Sequence, residues 1–175
     1  MKSKGAVIAL LASLTAIGHS GSAFAEVCYE AGGTVTTENI TSTLQMGSIN
    51  LTLSEYGSTI FDEQGSLVGN ITGAEGPGTV ILSHKARFPQ GDSFVTNGDK
   101  AIVVGLRTDE DGNPLVDEDG IPCSFLILET ISEIAKGTRL FKNVTGVNII
   151  ANGYISNCPT ENQNYFELSG ELCVD

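Results

Sequence analysis

The chain has no tryptophan, and its other aromatics are four tyrosines and seven phenylalanines in 175 residues. A stacking platform for polysaccharide or single-stranded nucleic acid needs more ring surface than that. Histidine is scarcer: only His19 and His84 occur. His19 falls in the leader described below, so a multi-histidine zinc, copper or iron site is excluded. No C-x-x-C pair occurs, which argues against a dithiol redox motif or a zinc knuckle. No G-x-S-x-G elbow, Walker loop or H-E-x-x-H stands anywhere in the chain. Beyond residue 25 no apolar run is long enough to cross a bilayer. Lysine and arginine number nine against 21 acidic residues. A surface of that sign repels nucleic acid and anionic lipid.

What is present starts at the N-terminus. Lys2 and Lys4 form a short basic start, Ala6 to Ile17 is almost wholly apolar, and Ala23-Phe24-Ala25 gives a small-x-small cleavage pattern. This predicts a secretory signal peptide over residues 1–25 and a mature chain from Glu26. Losing Lys2 and Lys4 leaves seven basic against 21 acidic residues, a net charge of −14. The expected protein is secreted or periplasmic, with nothing to hold it in a membrane once the leader is cut. Residues 26–175 have the length of one ordinary domain.

The mature part reads as strands between glycine and polar turns. Thr34 to Thr37, Ile40 to Leu44 and Ser48 to Leu53 are rich in β-branched residues. Phe61 to Gly69 reads as a strand end, a turn with Gly65 at positive φ, and a new strand. From Thr79 to Phe88 the alternation puts Val80, Leu82, His84, Ala86 and Phe88 on one face. Phe94 to Thr96 and Ala101 to Arg107 flank a Thr96-Asn97-Gly98-Asp99 turn. A long acidic connection, Thr108 to Gly120, leads to the apolar stretch Cys123 to Ile134. Val147 to Ser156 and Tyr165 to Val174 close the chain. Only Ile131 to Lys136 has the makings of a helical turn, with Gly137 as its stop. The expectation is all-β: a single closed antiparallel barrel of about eight strands.

Sandwich and barrel both fit the alternation. Cys28, Cys123, Cys158 and Cys173 in an oxidising compartment imply two disulfides, with three connectivities open. In an up-and-down barrel of even strand number the first and last strands are antiparallel neighbours. Cys28, before the first strand, then meets Cys173, near the end of the last. Cys123 starts one strand and Cys158 ends the next, so those two also meet. One topology brings both pairs together, which favours the barrel.

Glu129 to Gly146 resembles the G-x-G-x-F-x-x-A-x-G segment near the end of the allene oxide cyclase and dirigent barrels. Gly137, Phe141, Thr145 and Gly146 match, and Arg139 stands where that segment has its second glycine. Phe61 to Gly69 is similar to that superfamily's strand-turn-strand, and the two segments stand in the expected order. The resemblance implies an eight-stranded, calycin-like barrel with an apolar cavity; the cyclase's catalytic residues have no matching positions here. Phe141 is expected to plug one end.

Candidate chemistry is sparse. Asp109, Asp111 and Asn113 have the spacing of the first three ligands of a calcium loop, but Pro114 and Gly120 stand where that loop needs glycine and glutamate. A solvated acidic loop is the expectation, with a weak calcium site left open. Asn39, Asn50, Asn70 and Asn143 begin N-x-[ST] triplets, which a Thr-rich β protein produces by composition alone. His84 and Glu129 each interrupt an apolar strand face, and a buried titratable group there can anchor a ligand. These two are the expected ligand-binding residues. No metal and no cofactor are expected. The expected partner is a small apolar molecule in the lumen; nucleic acid and membrane are not, and a homo-oligomer stays open. Two other readings accompany this one: a cyclase or isomerase acting in the same cavity, and a structural or interaction protein whose barrel is filled by side chains.

Overall fold

The computed structural model describes residues 26–175, so the leader read over residues 1–25 lies outside the described residues. Ten strands follow one another: β1 (Val27–Asn39), β2 (Leu44–Glu55), β3 (Ser58–Ala74), β4 (Thr79–Arg87), β5 (Ser93–Thr96), β6 (Asp99–Leu106), β7 (Ser124–Ile131), β8 (Ile134–Thr138), β9 (Val144–Ser156) and β10 (Asn164–Val174). One turn of 3-10 helix, Arg139–Phe141, joins β8 to β9. All ten strands belong to one antiparallel sheet. Pairings run β1–β2–β3–β4–β6–β7–β9–β10 and return to β1, so eight of the ten make a ring.

The other two strands extend the ring where β4 changes partner. Thr79 to Leu82 pair with β6, whereas Lys85 to Arg87 pair with β5, which in turn pairs with β8. The Thr96–Asp99 turn connects β5 to β6 at that changeover, beside Ser83 and His84.

Period-2 burial follows from one face packing inward. On β4, Leu82, His84 and Ala86 are buried, as is Phe88 just beyond it. Leu51 and Leu53 of β2, Leu168 and Leu172 of β10, and Ile149 and Ala151 of β9 join the same core. At one end Phe61, Phe88, Phe94 and Phe141 form a cluster with ring centroids 5.0–6.1 Å apart. Such aromatic pairs add about 0.5–1.5 kcal/mol beyond area burial.

Three local expectations are corrected. Ile40 to Leu44 is not a strand: residues 40–43 bend between β1 and β2, and the Thr41 hydroxyl oxygen accepts the Thr43 and Leu44 N–H groups. Gly65 makes no turn, because β3 runs unbroken through it and pairs it with Ile49. A Cβ there would lie 2.6 Å from the Arg87 carbonyl oxygen and 2.7 Å from the Phe88 ring, so close approach requires the glycine. The hairpin turn falls instead at Tyr56 and Gly57, with φ of 49° and 79°. Ile131 to Lys136 holds no helical turn; Ile134 to Thr138 is β8, and Gly137 lies in that strand rather than at a helix end.

Both disulfides join the pairs that strand adjacency predicts, Cys28–Cys173 and Cys123–Cys158. Cys28 faces Cys173 directly across the β1–β10 ladder. Two disulfides fit an oxidising, extracellular environment. No helix among the described residues is long and apolar enough to cross a membrane.

Candidate functional site

The partner change of β4 places three ionisable groups inside the ring. His84 projects inward from β4, Asp99 from the first position of β6, and Glu129 from β7. Register explains their meeting: Leu82 pairs with Asp99, and Ala101 with Glu129, so Asp99 lies diagonal to both other residues on the inward face. They are 9 %, 0 % and 5 % exposed.

His84 Nδ1 lies 2.8 Å from Asp99 Oδ2 and 3.4 Å from Glu129 Oε1. Thr96 locks this arrangement. Its hydroxyl donates to Asp99 Oδ2 and its oxygen accepts the His84 backbone N–H at 2.8 Å. Asp99 Oδ1 and Glu129 Oε1 are buried and have no hydrogen-bond partner within the protein. Buried polar atoms ordinarily find one.

Charge in this apolar setting is shared unevenly. Burial pulls the His84 imidazole down, but the Glu129 charge, then the Asp99 hydrogen bond and charge, outweigh it and raise His84 above its ordinary 6.5. Burial raises Glu129 above its ordinary 4.5; the His84 charge opposes this and the Asp99 charge adds to it. His84 and Glu129 therefore each hold a proton more tightly than they would in water. Its chemistry is that of a paired acid and base beside an apolar space.

Two chambers adjoin the cluster, the inner one at His84 and Glu129 and the outer one at Glu129. The inner one, about 50 Å³, reaches toward the phenylalanine end and is bordered by Ile49, Leu51, Phe94, Ile134 and Leu168. The outer one, about 130 Å³, is bordered by Ile71, Val80, Leu82, Ile127 and Ile155 and reaches Gly78 in the β3–β4 turn. Glu129, Gln45 and Phe166 border both. No lysine or arginine lines either chamber among the described residues.

His84 and Glu129, chosen separately from the sequence, are thus brought into one cluster. Asp99 and Thr96 are not apparent as site residues in the sequence, where they stand at the ends of the Thr96-Asn97-Gly98-Asp99 turn. The period-2 step from Ala101 back to Asp99 is the signal that places Asp99 inward.

The acidic connection is elsewhere and differently employed. Asp109 Oδ1 accepts the Asp111 and Asn113 N–H groups at 3.0 and 2.8 Å. Asp117 Oδ1 accepts those of Asp119 and Ile121 at 3.0 and 2.9 Å. The sequence repeats here as D-E-D-G-x-P from Asp109 and again from Asp117. Both lead aspartates are committed to their own loops by side-chain-to-backbone turns. Among the described residues the other convergence of potential metal donors is Cys28, Glu171 and Cys173, whose sulfurs are joined in a disulfide.

No protein-family model, no curated protein and no solved structure matches this chain.

Proposed function

We propose that the eight-strand ring is a closed barrel whose lumen binds a small, largely apolar molecule, in a protein that works in the periplasm or outside the cell. The observation that carries this reading is Glu129, a buried carboxylate bordering two apolar chambers and lacking a full set of partners. Specific ligand pockets have that composition: apolar walls and few, convergent polar groups. The chambers set the scale. A dry cavity of about 150 Å³ accommodates benzene, so the occupant is a one-ring or short-chain molecule with one polar group against Glu129 and His84. The resemblance to allene oxide cyclase and dirigent barrels is in keeping with such a lumen. Arg139, at the position of that pattern's second glycine, has a φ of 52°, a conformation glycine adopts without strain.

One observation favours a second reading, acid–base catalysis of an isomerase or cyclase kind on the same ligand. His84 Nδ1 faces the carboxylates of both Asp99 and Glu129, so a base and two acids stand within proton-transfer distance of one another.

The test is mass spectrometry of small molecules that leave with the folded protein, followed by titration with one-ring and short-chain apolar compounds observed through isoleucine and leucine methyl signals. Saturable shifts at Ile49, Leu82 and Ile127, weakened in Glu129→Gln, are expected. A protein that co-purifies with nothing and shows no shift with any compound is a filled, structural ring, and the binding reading fails. Conversion of a bound compound, lost in His84→Ala, would select catalysis.

A further inference from the structure

We propose that His84, Asp99 and Glu129 are the protein ligands of one divalent first-row transition-metal ion, adjoining the two chambers. Their donor atoms, one imidazole nitrogen and two carboxylate oxygens, all lie within 4.8 Å of one another. Ligands about 2.0–2.2 Å from a common ion stand roughly 3–3.5 Å apart. The 3.4 Å between His84 Nδ1 and Glu129 Oε1 already meets that spacing, and the 2.8 Å to Asp99 Oδ2 needs to open by a few tenths.

Two independent observations point to a cation. Asp99 Oδ1 and Glu129 Oε1 are unpartnered acceptors, in side chains more than nine-tenths buried. A protonated His84 neutralises one carboxylate and leaves the other, and neither chamber supplies a lysine or arginine. A dipositive ion balances both carboxylates and satisfies the lone oxygens together. The mixed nitrogen and oxygen donor set suits Zn²⁺ or Mn²⁺ better than Ca²⁺, which prefers six to eight oxygens.

Support around the ligands is that of a built site. The Thr96 hydroxyl donates to Asp99 and fixes its carboxylate, the outer-shell role that orients metal ligands. All three ligands stand on paired strands, which place side chains more firmly than loops do. Three protein donors leave coordination positions open, and the outer chamber, reaching exposed Gly78, offers a path to them. This inference does not depend on the apolar ligand, since the ion needs only the three side chains.

The experiment loads the chelator-stripped, disulfide-intact protein with Zn²⁺ or Mn²⁺, and measures metal content after desalting and affinity by calorimetry. One ion per chain is expected, with a Tm that rises with metal concentration. Glu129→Gln and Asp99→Asn should each weaken binding by about 100-fold or more, whereas the paired loop variant Asp109→Asn/Asp117→Asn should bind as the parent does. If Asp99→Asn does not fold, Glu129→Gln and the parent protein still decide. Folded parent protein that binds neither ion in 1:1 ratio overturns the proposal and leaves a shared proton in the cluster. So does binding that survives Glu129→Gln but is lost in the loop variant. Neither result bears on whether the chambers take an apolar compound.

Discussion

The two ends of the strand ring are built on opposite principles. At one end four phenylalanines interlock over the core, with Phe141 only 1 % exposed, and Cys28–Cys173 ties the first strand to the last. At the other, the closure is polar. Asn39 Nδ2 donates to the Ser156 carbonyl at 2.9 Å, and Asn164 Nδ2 donates to Asn39 Oδ1 at 2.9 Å and Thr37 Oγ1 at 3.1 Å. Cys123–Cys158 and the acidic double loop belong to this end. Apolar packing without polar atoms gives stability and no chemistry. At the other end, hydrogen-bonded asparagines hold the strands together. The buried charges lie between these regimes, on the inward faces of β4, β6 and β7.

The largest difference between the ends should come from their disulfides. Cys28–Cys173 closes a separation of 145 residues and Cys123–Cys158 one of 35. In the chain-entropy treatment these stabilise by about 5 and about 4 kcal/mol respectively. Paired Cys→Ser variants, compared by denaturant midpoint, should rank in that order. Equal losses would show that residual structure in the unfolded chain, rather than loop length, sets the effect.

Removing the plug is expected to cost somewhat less. Phe141→Ala leaves a cavity among Phe61, Phe88 and Phe94 and should destabilise by about 3–5 kcal/mol. Because the plug lies beyond the inner chamber, the part of the population that stays folded should bind metal and apolar compounds much as the parent does. Equal loss of binding and stability would mean that both ends support the cluster.

The cluster itself should respond asymmetrically. His84→Ala leaves two carboxylates facing one another in an apolar interior, a change in the range of about 3–5 kcal/mol for a broken buried pair. Glu129→Gln removes one of the two negative charges and keeps the shape, so it should change stability by less than about 1 kcal/mol in metal-free protein. A cost for Glu129→Gln as large as that for His84→Ala would place its weight in structure rather than in binding.

How much of this was legible in the sequence differs along the chain. The alternation from Val80 to Phe88 survives as written, since a half-buried strand must show it. Both cysteine pairs were legible because each joins antiparallel neighbours whose adjacency follows from strand order. Gly65 misled because a glycine needed for close approach to Phe88 looks, in sequence, like a glycine needed for a turn. Ile131 to Lys136 misled because β8 exists only through its pairing with β5, a tertiary contact with no local periodicity. Asp99 stayed hidden for the same kind of reason. The period-2 step from Ala101 gives its face, but its meeting with His84 depends on where β4 exchanges β5 for β6, and no local pattern records that exchange.

The smallest expected effect lies in the acidic loop and separates its role from that of the buried carboxylates. The Asn113 N–H bound to Asp109, opposed by desolvation and assisted by the Asn113 side chain and the Asp111 and Gly112 amides, holds its carboxyl below the ordinary 3.8. A carboxyl lowered by folding contributes stability that is present above 3.8 and is lost as pH falls through the folded value. The loop's contribution should therefore be constant across neutral pH and disappear only in strong acid. Solvent exposure keeps the effect local, so it should be read from amide exchange at Asp111 and Asn113 rather than from Tm. Asp109→Asn retains a side-chain oxygen that can accept the same N–H groups and should keep most of the protection at every pH, whereas Asp109→Ala should lose it throughout. If Asp109→Asn opens the loop as fully as Asp109→Ala does at neutral pH, the charge rather than the turn holds it.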